Sequence, residues 1–582
     1  MRNTKIVCTI GPACEKPEQI RALIEAGMNV ARLNMSHATH QYHAELIKNI
    51  RSVSASMDRN VGILMDLQGP KIRIGTLKEK VVLEPGQRFI LTTRDVPGNA
   101  ISVSVSLDTL PHSVSPGQSI LIDDGLLELK VENVDENDIY TSVVRGGELK
   151  DRKGINLPEA SIKTPSLTDK DRKDMVFGIE QEVDMVALSF VRTANDVLEL
   201  KSLMEEHGTD IPVIAKIEKH EAVRNIDSIL EVAQGVMVAR GDLGIEIPIA
   251  DVPIVQKMII AKANERSIPV ITATQMLDSM IRNPIPTRAE VTDVANAVFD
   301  GTDALMLSGE TAFGEYPVKS VETMARTALN AEESAQYATF MEGKAPHPSM
   351  SITDSIAFTS VEAARNLKAQ AIITATQSGL TARKISRYKP GVPIMAVTTS
   401  HRIMNQLTLS YGIIPVQVSH STQMTSLMDD ALHRCEERGL IRTGDLLVIT
   451  AGMLTEVTGG TNIMRIHVMA NVLARGEGIG KGVIKGKVQL FNGDNLEPVD
   501  ENRILVVDKL TGEQAGKISS VKAVITTETG LTSPTAHHCR EEQLPVITGV
   551  TDAMSVLSDD REITIDLLRG IIYDGIINLP GD

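Results

Sequence analysis

Tryptophan is absent from this 582-residue sequence, and the aromatic residues together make up only 3%. Aromatic platforms for stacking single-stranded nucleic acid are therefore scarce. Cysteine is also rare, and the four cysteines Cys8, Cys14, Cys435 and Cys539 form no Cys-x-x-Cys pair. Such sparse, unpaired cysteines fit a reducing compartment better than a disulfide framework. No apolar run approaches the ~20 residues that a membrane-spanning helix needs.

The charge balance is acidic, with 59 Lys and Arg against 75 Asp and Glu and a net charge of -16. A surface of this sign repels nucleic acid and anionic membranes at long range. The first residues, MRNTKIVCTIG, enter a β-like run without the apolar segment and cleavage site of a secretory signal. We therefore expect a cytoplasmic protein without nucleic-acid or membrane partners.

The length predicts about three to four domains, because one hydrophobic core does not grow this large. In the first part of the chain, short β-branched runs alternate with amphipathic helical stretches such as Ala194–Glu206. Eight such units predict a (β/α)8 TIM barrel, with a doubly wound open sheet as the competing fold. The candidate strands are Lys5–Ile10, Asn29–Asn34, Val61–Leu67, Val183–Ser189, Ile211–Ile217, Val236–Arg240, Val270–Thr274 and Ala304–Leu307.

Changes of pattern mark the other domains. After Asp66 the hydrophobic pattern takes a period of two residues and is interrupted by Pro-Gly and Asp-Asp-Gly turns. This pattern predicts an inserted β domain. EGKAPHPS and ARGEGIGKG have the composition of linkers, and an α/β pattern lies between them. We predict a catalytic barrel at 1–70 and 167–340, the inserted domain at 71–166, an α/β domain at 350–473 and an extra domain at 475–582.

Polar side chains stand where the predicted barrel strands end, at the face that carries the active site in such barrels. Arg32, Asn34 and Ser36 are spaced by two, so an extended backbone directs all three to one side. Lys216 and Glu218 share a face for the same reason. Each pattern alone is more often a solvated strand end or a plain ion pair, and it is their joint placement that indicates a site.

Further strand ends supply Asp242, Thr274, Ser308 and Glu310. A Glu and an Asp at adjacent strand ends, with a lysine beside them, suit a hard divalent cation that also contacts a phosphate. Nearby cations would concentrate positive charge despite the acidic chain, which suits phosphoryl transfer. These cations are Arg32, Lys71, Arg73, Lys170 and Lys216.

Six strings occur in the order and spacing of the pyruvate kinase family, which the chain resembles from about Thr4 to Ile479. They are MNVARLNMSH, DLQGPKIR, AKIEKHEAV, GVMVARGDLGIEIP, ITATQMLDSM and DALMLSGETA. The resemblance implies transfer of a phosphoryl group from phosphoenolpyruvate to ADP, giving pyruvate and ATP, in the last step of glycolysis. It also implies Mg²⁺ or Mn²⁺, a homotetramer, and an inserted β-barrel that closes over the barrel mouth as a lid.

Carried over position by position, the resemblance assigns roles to individual residues. The catalytic residues would be Lys216, Arg73, Thr274 and Ser308, and the divalent-metal ligands Glu218 and Asp242. The substrate would contact Arg32, Lys216, Gly241, Asp242 and Thr274. The nucleotide would contact Pro12, Asn34, His37, Tyr42, Arg73 and Lys170. A monovalent-cation pocket would comprise Asn34, Ser36, Asp66 and Leu67.

The string DLQGPKIR departs from the DTKGPEIR of potassium-requiring members, since Leu67, Gln68 and Lys71 replace Thr, Lys and Glu. A lysine ammonium close to the pocket could take the place of a potassium ion. The alternative is that Lys71 points into solvent and potassium still binds. We predict that Lys71 is a potassium surrogate and that potassium is not required.

In TATQSGLTAR a strand runs into a turn that opens a helix, where free amides and hydroxyls can bind phosphate. An ordinary helix cap is the local alternative. Family resemblance favours a site for a phosphorylated small-molecule effector in an α/β regulatory domain, at Thr376, Ser378, Gly379 and Thr381. A second effector loop would lie at Thr455–Asn462.

The segment 475–582 resembles the swivelling phosphohistidine domain of enzymes that use phosphoenolpyruvate. Pro534 stands where the phosphorylated histidine is expected, and His537 and His538 follow on the predicted helix. This argues against a phosphoenolpyruvate synthase or dikinase. A metal-dependent aldolase would not need the nucleotide residues, and an inactive metabolite sensor would not need Lys216 and Glu218 intact.

Overall fold

A computed structural model describes residues 1–158, 165–337, 351–420, 424–452, 460–491, 502–516, 518, 520–577 and 579. The chain divides into two compact units. The first comprises residues 1–351 and 376–417, and the second comprises 352–375 and 418–582. Among the described residues, no helix is both long and apolar enough to cross a membrane.

The first unit contains a closed barrel of eight parallel strands whose order around the ring follows the chain, which confirms the predicted fold. Each strand lies within two residues of its predicted bounds, and Ala304–Leu307 matches at both ends. The strands, called the first to eighth barrel strands below, are Lys5–Thr9, Val30–Asn34, Gly62–Asp66, Met185–Leu188, Val213–Ile217, Gly235–Ala239, Val270–Ala273 and Ala304–Leu307.

The barrel strands are buried on both faces, so two cores form. Alternate residues such as Val7, Leu64 and Ile214 fill the interior of the ring. The residues between them, such as Ile6 and Cys8, pack in a second core with apolar side chains of the surrounding helices. Because side chains alternate along a strand, this pattern also fixes which residues beyond each strand point inward.

Helices connect the barrel strands, and several begin with side-chain caps. Thr168 and Asp171 form a reciprocal capping box, as do Thr287 and Glu290. Such caps satisfy backbone amides that the first turn leaves free. The helices are Pro17–Ala26, His40–Ser56, Asp169–Glu180, Ala194–Glu206, His220–Arg224, Ile226–Val232, Arg240–Glu246, Val252–Glu265, Arg288–Asp300, Gly309–Ala312 and Pro317–Glu332, with 3₁₀ turns at Ile249–Asp251 and Asp278–Ile281.

The inserted domain between the third and fourth barrel strands is a β domain, as predicted, with one 3₁₀ turn at Pro111–Ser113. A six-stranded sheet and a two-stranded sheet share one apolar core around Phe89 and Leu129. The predicted Asp-Asp-Gly turn joins two antiparallel strands, and its residues take the positive φ that Asp and Gly tolerate. The strands are Val81–Leu83, Arg88–Thr92, Ser102–Ser104, Ser119–Ile122, Leu127–Val134, Asp138–Arg145, Gly147–Leu149 and Ile155–Asn156.

The remaining part of the first unit is a small α/β segment. Its two parallel strands are Ile394–Thr398 and Ile413–Gln417, and its helices are Leu380–Ser386 and His401–Leu407.

The second unit has two sheet regions. The strand Ala371–Ala375 pairs in parallel with Leu446–Ala451, which pairs antiparallel with Ile463–Val468, beside the helices Ile352–Asn366 and Met424–Glu437. The other region is an eight-stranded mixed sheet with the helices Gly512–Ala515, Pro534–Glu541 and Ala553–Val556. Its strand order is Val472–Arg475, Ile571–Asp574, Glu562–Asp566, Val483–Phe491, Arg503–Val507, Ala523–Thr526, Val546–Thr548 and Glu477–Ile479.

Candidate active site

Six polar residues stand two positions beyond apolar residues that fill the barrel interior, so strand alternation directs their side chains to the same mouth. Lys216, for example, follows the interior residue Ile214, and Asp66 follows Leu64. Because the strands are parallel, their carboxyl ends meet at one face of the barrel. The six residues are Thr9, Arg32, Asp66, Ser189, Lys216 and Ser308.

The Lys216 ammonium contacts three side chains at this mouth. Its Nζ lies 3.0 Å from Glu218 Oε1 and 3.3 Å from Asp66 Oδ1. It also donates a hydrogen bond of 2.7 Å to Ser189 Oγ. Burial lowers the pKa of Lys216, but the two carboxylates outweigh burial and raise that pKa above its ordinary value. Lys216 is therefore a permanent cation at the centre of the mouth.

Asp66 is buried between two cations. Arg32 Nε lies 2.7 Å from Asp66 Oδ2, on the side away from Lys216, and Arg32 Nη1 donates to Thr9 Oγ1 at 2.9 Å. Burial raises the pKa of Asp66, but Lys216 and Arg32 outweigh it and hold that pKa below its usual range. The ionised carboxylate thus fixes the positions of both cations.

Glu218 is almost fully buried, and its second oxygen accepts a 2.7 Å hydrogen bond from the Phe190 backbone N–H. Burial raises the pKa of Glu218, Lys216 opposes this, and the nearby Asp242 carboxylate adds to it. Asp242 is thus one of the charges that act on Glu218. The oxygen donors of these two carboxylates fit a hard divalent ion and offer no soft ligand.

Asp242 lies in the first turn of the helix Arg240–Glu246. The preceding Gly241 N–H donates to Thr274 Oγ1 at 2.8 Å, and that hydroxyl donates to Ala273 O at 2.6 Å. Thr274 has a φ of +68°, which a β-branched residue adopts only where its surroundings hold it. The seventh strand end and the Asp242 helix are therefore joined through the Thr274 hydroxyl.

Ser308 begins the short helix Gly309–Ala312. Its backbone N–H donates to Glu310 Oε2 at 2.8 Å, and Leu277 N–H donates to Glu310 Oε1 at 3.1 Å. Glu310 is buried, and burial raises its pKa. Through these hydrogen bonds Glu310 connects the loops after the seventh and eighth strands, which carry Thr274 and Ser308.

The residues predicted to form the monovalent-cation pocket lie at the ends of the second and third strands. Asn34 and Asp66 are paired in register, and Asn34 Oδ1 accepts from Ser36 N–H at 3.1 Å. Leu67 is buried, and its carbonyl accepts from Ser189 Oγ. The ion pair of Lys71 that the structure shows is with Asp242, at 3.9 Å.

The residues predicted to contact the nucleotide fall in two regions. Lys170 Nζ donates to Met35 O and contacts Asp174, each at 2.6 Å. Tyr42 donates to Glu15, and burial followed by this hydrogen bond raises the Tyr42 pKa. Pro12 and His37 are exposed. Arg73 lies in the inserted domain, where its Nη1 donates to Arg152 O at 3.0 Å, and its backbone forms a bridge with Gly154.

The residues predicted to bind an effector surround the start of the helix Leu380–Ser386. Gly379 N–H donates to Thr376 Oγ1 at 2.9 Å, and Gly379 has a φ of +79°. Arg383 donates to Ser378 O, and Thr381 is buried. In the second predicted effector loop, residues 455–459 lie outside the described residues.

Pro534 is the first residue of the helix Pro534–Glu541, and His537 and His538 lie on that helix as predicted. Ser533 caps it by accepting from Ala536 N–H. Proline at this position fits because the first-turn amide has no partner within a helix.

Sequence reasoning missed Ser189 and Phe190. Ser189 bonds the Lys216 ammonium, and Phe190 holds Glu218 through its backbone, with a φ of +56°. A signal for Ser189 existed, because it ends a predicted strand as the other site residues do. The sequence contains no such signal for Phe190, because Phe190 contributes a backbone N–H, which every residue except proline has.

The fold and the barrel mouth together define an enzyme of the (β/α)8 class, with a largely buried lysine ammonium among carboxylates at the carboxyl ends of the strands. The models of three families match the chain: the barrel domain of pyruvate kinase over residues 1–321, its alpha/beta domain over 354–467, and the mobile domain of PEP-utilising enzymes over 499–570.

Curated relatives match along the whole chain. A pyruvate kinase of Bacillus licheniformis is 46% identical, and one of Geobacillus stearothermophilus is 44% identical, each over 99% of both chains. One of Staphylococcus aureus is 43% identical over 100% of both chains. The chain belongs to the pyruvate kinase family, whose members use a divalent metal.

Proposed function

We propose that this chain transfers the phosphoryl group of phosphoenolpyruvate to ADP at the carboxyl end of the barrel, yielding pyruvate and ATP. The observation that carries the proposal is the Lys216 ammonium, whose side chain is 12% exposed and which is held by Asp66, Ser189 and Glu218 at the strand ends. A fixed cation with little exposure to solvent stabilises developing negative charge without reorganisation, and such stabilisation is usually the largest single contribution to catalysis.

Glu218 and Asp242 would hold a divalent cation, Mg²⁺ or Mn²⁺. Both supply carboxylate oxygens. Burial raises the pKa of Glu218, and a cation between the two carboxylates would relieve the repulsion by Asp242 that adds to this effect. When bound, such an ion neutralises charge on phosphate and enolate oxygens. Lys71 and Lys216, each beside one of these carboxylates, hold the pair in place.

The other residues at the mouth have separate roles in the proposed reaction. Lys216 stabilises the phosphoryl group and the enolate oxygen, and Arg32 and Arg73 bind phosphate oxygens. The hydroxyls of Thr274 and Ser308 stand near the enolate and relay a proton through water to its methylene carbon. Gly241 and Asp242 complete the substrate contacts.

The nucleotide would bind beside the substrate, and the inserted domain would act as a lid. Contacts between this domain and the Asp242 helix support the second point, since Asn156 donates to Glu246 and Lys71 faces Asp242. A closed lid excludes water that could otherwise accept the phosphoryl group. The nucleotide-side residues would be Pro12, Asn34, His37, Tyr42, Arg73 and Lys170.

Other features belong to the same proposal. Lys71 replaces potassium beside Asn34, Ser36, Asp66 and Leu67. A phosphorylated metabolite binds at Thr376, Ser378, Gly379 and Thr381 and regulates the enzyme. The chain works as a cytoplasmic homotetramer with the four domains at 1–70 with 167–340, 71–166, 350–473 and 475–582.

A steady-state assay of pyruvate formation from phosphoenolpyruvate and ADP tests the proposal, with Mg²⁺ and Mn²⁺ compared. Each assay is repeated across a panel of phosphorylated effectors. We expect metal-dependent turnover and a shift in phosphoenolpyruvate affinity with at least one effector. Ser378→Ala together with Thr381→Ala should remove the effector response alone. Absence of pyruvate formation with either metal would refute the proposed reaction.

A further inference from the structure

Glu246 is a buried carboxylate at the end of the helix Arg240–Glu246, with 4% exposure. Its Oε1 lies 2.5 Å from Lys219 Nζ and accepts a 3.4 Å hydrogen bond from Asn156 Nδ2. Its Oε2 lies 3.5 Å from His220 Nδ1. A buried carboxylate is stable only with such partners, so these three contacts are what hold Glu246 in place.

The partners of Glu246 come from separate parts of the fold. Asn156 is itself buried and lies in the last described strand of the inserted domain. Lys219 and His220 follow the fifth barrel strand. The helix that Glu246 ends also carries Asp242 in its first turn. One carboxylate therefore joins the inserted domain, the loop after Glu218 and the Asp242 helix.

Lys219 extends this connection to the second metal ligand. Its Nζ lies 5.9 Å from the centre of the Phe190 ring, within the range of a cation–π contact. Phe190 in turn donates its backbone N–H to Glu218. Phe190 also has a positive φ, a conformation that a bulky residue keeps only where neighbours fix it. Lys219 thus supports the residue that orients Glu218.

We propose that Glu246 is a positioning residue that couples the inserted domain to the divalent-metal ligands Glu218 and Asp242. The inference rests on the proposed function, because it takes those two carboxylates as the metal site. Groups that orient metal ligands tune the affinity of the metal. Contact of Asn156 with Glu246 therefore strengthens metal binding, and by linkage metal binding favours the arrangement in which the inserted domain contacts the barrel.

A rival interpretation makes Glu246 a ligand of a second cation. Ligand atoms of His220, Glu221 and Glu246 lie within 4.8 Å of one another. Glu221 Oε2 lies 3.4 Å from His220 Nδ1 and has no hydrogen-bond partner in the part of the chain that the structure describes. However, the Lys219 ammonium already neutralises the Glu246 carboxylate, which lowers its attraction for another cation. The geometry therefore favours a positioning role.

Titration of the full-length protein with Mn²⁺, following free Mn²⁺ by electron paramagnetic resonance, tests the proposal without measuring activity. We expect Asn156→Ala to weaken Mn²⁺ binding about fivefold, a typical coupling between sites. Glu246→Gln should weaken it about tenfold, as loss of a group that orients metal ligands does. The double variant should bind Mn²⁺ no more weakly than Glu246→Gln does, because Asn156 acts through Glu246. Asn133→Ala, an exposed asparagine of the inserted domain, is the matched control and should bind as the native protein does.

Unchanged Mn²⁺ affinity in a folded Glu246→Gln protein would overturn the proposal. If that variant does not fold, unchanged affinity in Asn156→Ala would overturn it equally. Two bound Mn²⁺ ions, one of them lost in His220→Ala, would also overturn it, because Glu246 would then be a ligand. Glu218→Gln distinguishes failure of the proposed metal site from failure of the proposed coupling. If Mn²⁺ binding persists in Glu218→Gln, the metal site itself is refuted. If Glu218→Gln abolishes Mn²⁺ binding but Asn156→Ala and Glu246→Gln leave it unchanged, only the coupling is refuted.

Discussion

The Lys71 ammonium lies 3.9 Å from the Asp242 carboxylate, so the start of the inserted domain contacts a proposed metal ligand. A Cβ built on Gly154 would come within 2.9 Å of Lys71 Cε. Glycine at position 154 therefore leaves the space that the lysine side chain occupies. The result is a tethered cation at the barrel mouth.

A tethered ammonium needs no monovalent salt in the medium. We predict near-full activity in buffers whose only monovalent cation is tetramethylammonium, and potassium dependence in Lys71→Glu. The activity of both proteins, measured against potassium concentration at constant ionic strength, checks this. The control Lys78→Glu makes the same charge change at an exposed position of the inserted domain. Strong activation of the native enzyme by potassium would show that Lys71 does not replace the ion.

Replacement of Lys216 by methionine should mainly slow turnover. Loss of one preorganised group that stabilises the transition state costs about 10²–10³ in kcat. Little change is expected in phosphoenolpyruvate affinity. Steady-state kinetics, with folding checked by circular dichroism, provide the measurement, and Lys173→Met is the control at an exposed lysine. Near-native turnover in a folded Lys216→Met protein would contradict the assignment.

The stability of the protein should rise with pH because of Lys5, whose Nζ donates to Ile413 O at 2.7 Å. Burial, with Arg2 nearby, lowers the pKa of Lys5 from 10.5 to about 7. Between these values the unfolded chain binds the extra proton, so this contribution to the free energy of unfolding increases from about pH 7 upward. Below that range both states are protonated and the contribution is constant.

Urea unfolding midpoints of the native protein and Lys5→Met at several pH values test this effect. The midpoint of the native protein should rise relative to that of Lys5→Met between neutral and alkaline pH, because methionine does not titrate. A difference that stays constant across the range would show that Lys5 keeps an ordinary pKa in the folded state.

The carboxyl-terminal domain should not carry phosphate, because Pro534 occupies the expected acceptor position. Val472–Arg475 pairs with Ile571–Asp574 in the last sheet. A truncation that removes the whole of this sheet therefore ends before residue 471. Residues 1–470 should retain the chemistry, with altered stability or effector response. Acid-labile phosphate on His537 or His538 after incubation with phosphoenolpyruvate would contradict this prediction.

The barrel could be predicted because its signal is local. Each strand is a short β-branched run, and alternation alone places Lys216 with Glu218 and Arg32 with Asn34. The closed ring adds what periodicity does not specify, namely that the third and fifth strands bring Asp66 and Lys216 within 3.3 Å.

The composition of the chain predicts the domain boundaries less well than it predicts the barrel strands. The strand Val472–Arg475 belongs with the last sheet, although the Gly-rich composition from Ala474 onward predicts a linker. Glycines at 476, 478 and 480 lie in or beside paired strands, and a Cβ at Gly478 would meet Leu567 O at 1.9 Å. Close approach of two backbones requires glycine as much as a flexible linker does, and composition does not distinguish the two.

The sequence by itself determined the barrel strands, the inserted β domain and the polar strand ends, because hydrophobic period and residue chemistry are properties of neighbouring positions. Only the tertiary structure decided that Phe190 holds Glu218, that Lys71 faces Asp242 and that Glu246 joins Asn156 to Lys219. These contacts link residues 27 to 171 positions apart. They depend on ring closure and on the seating of the inserted domain, and no local pattern encodes either.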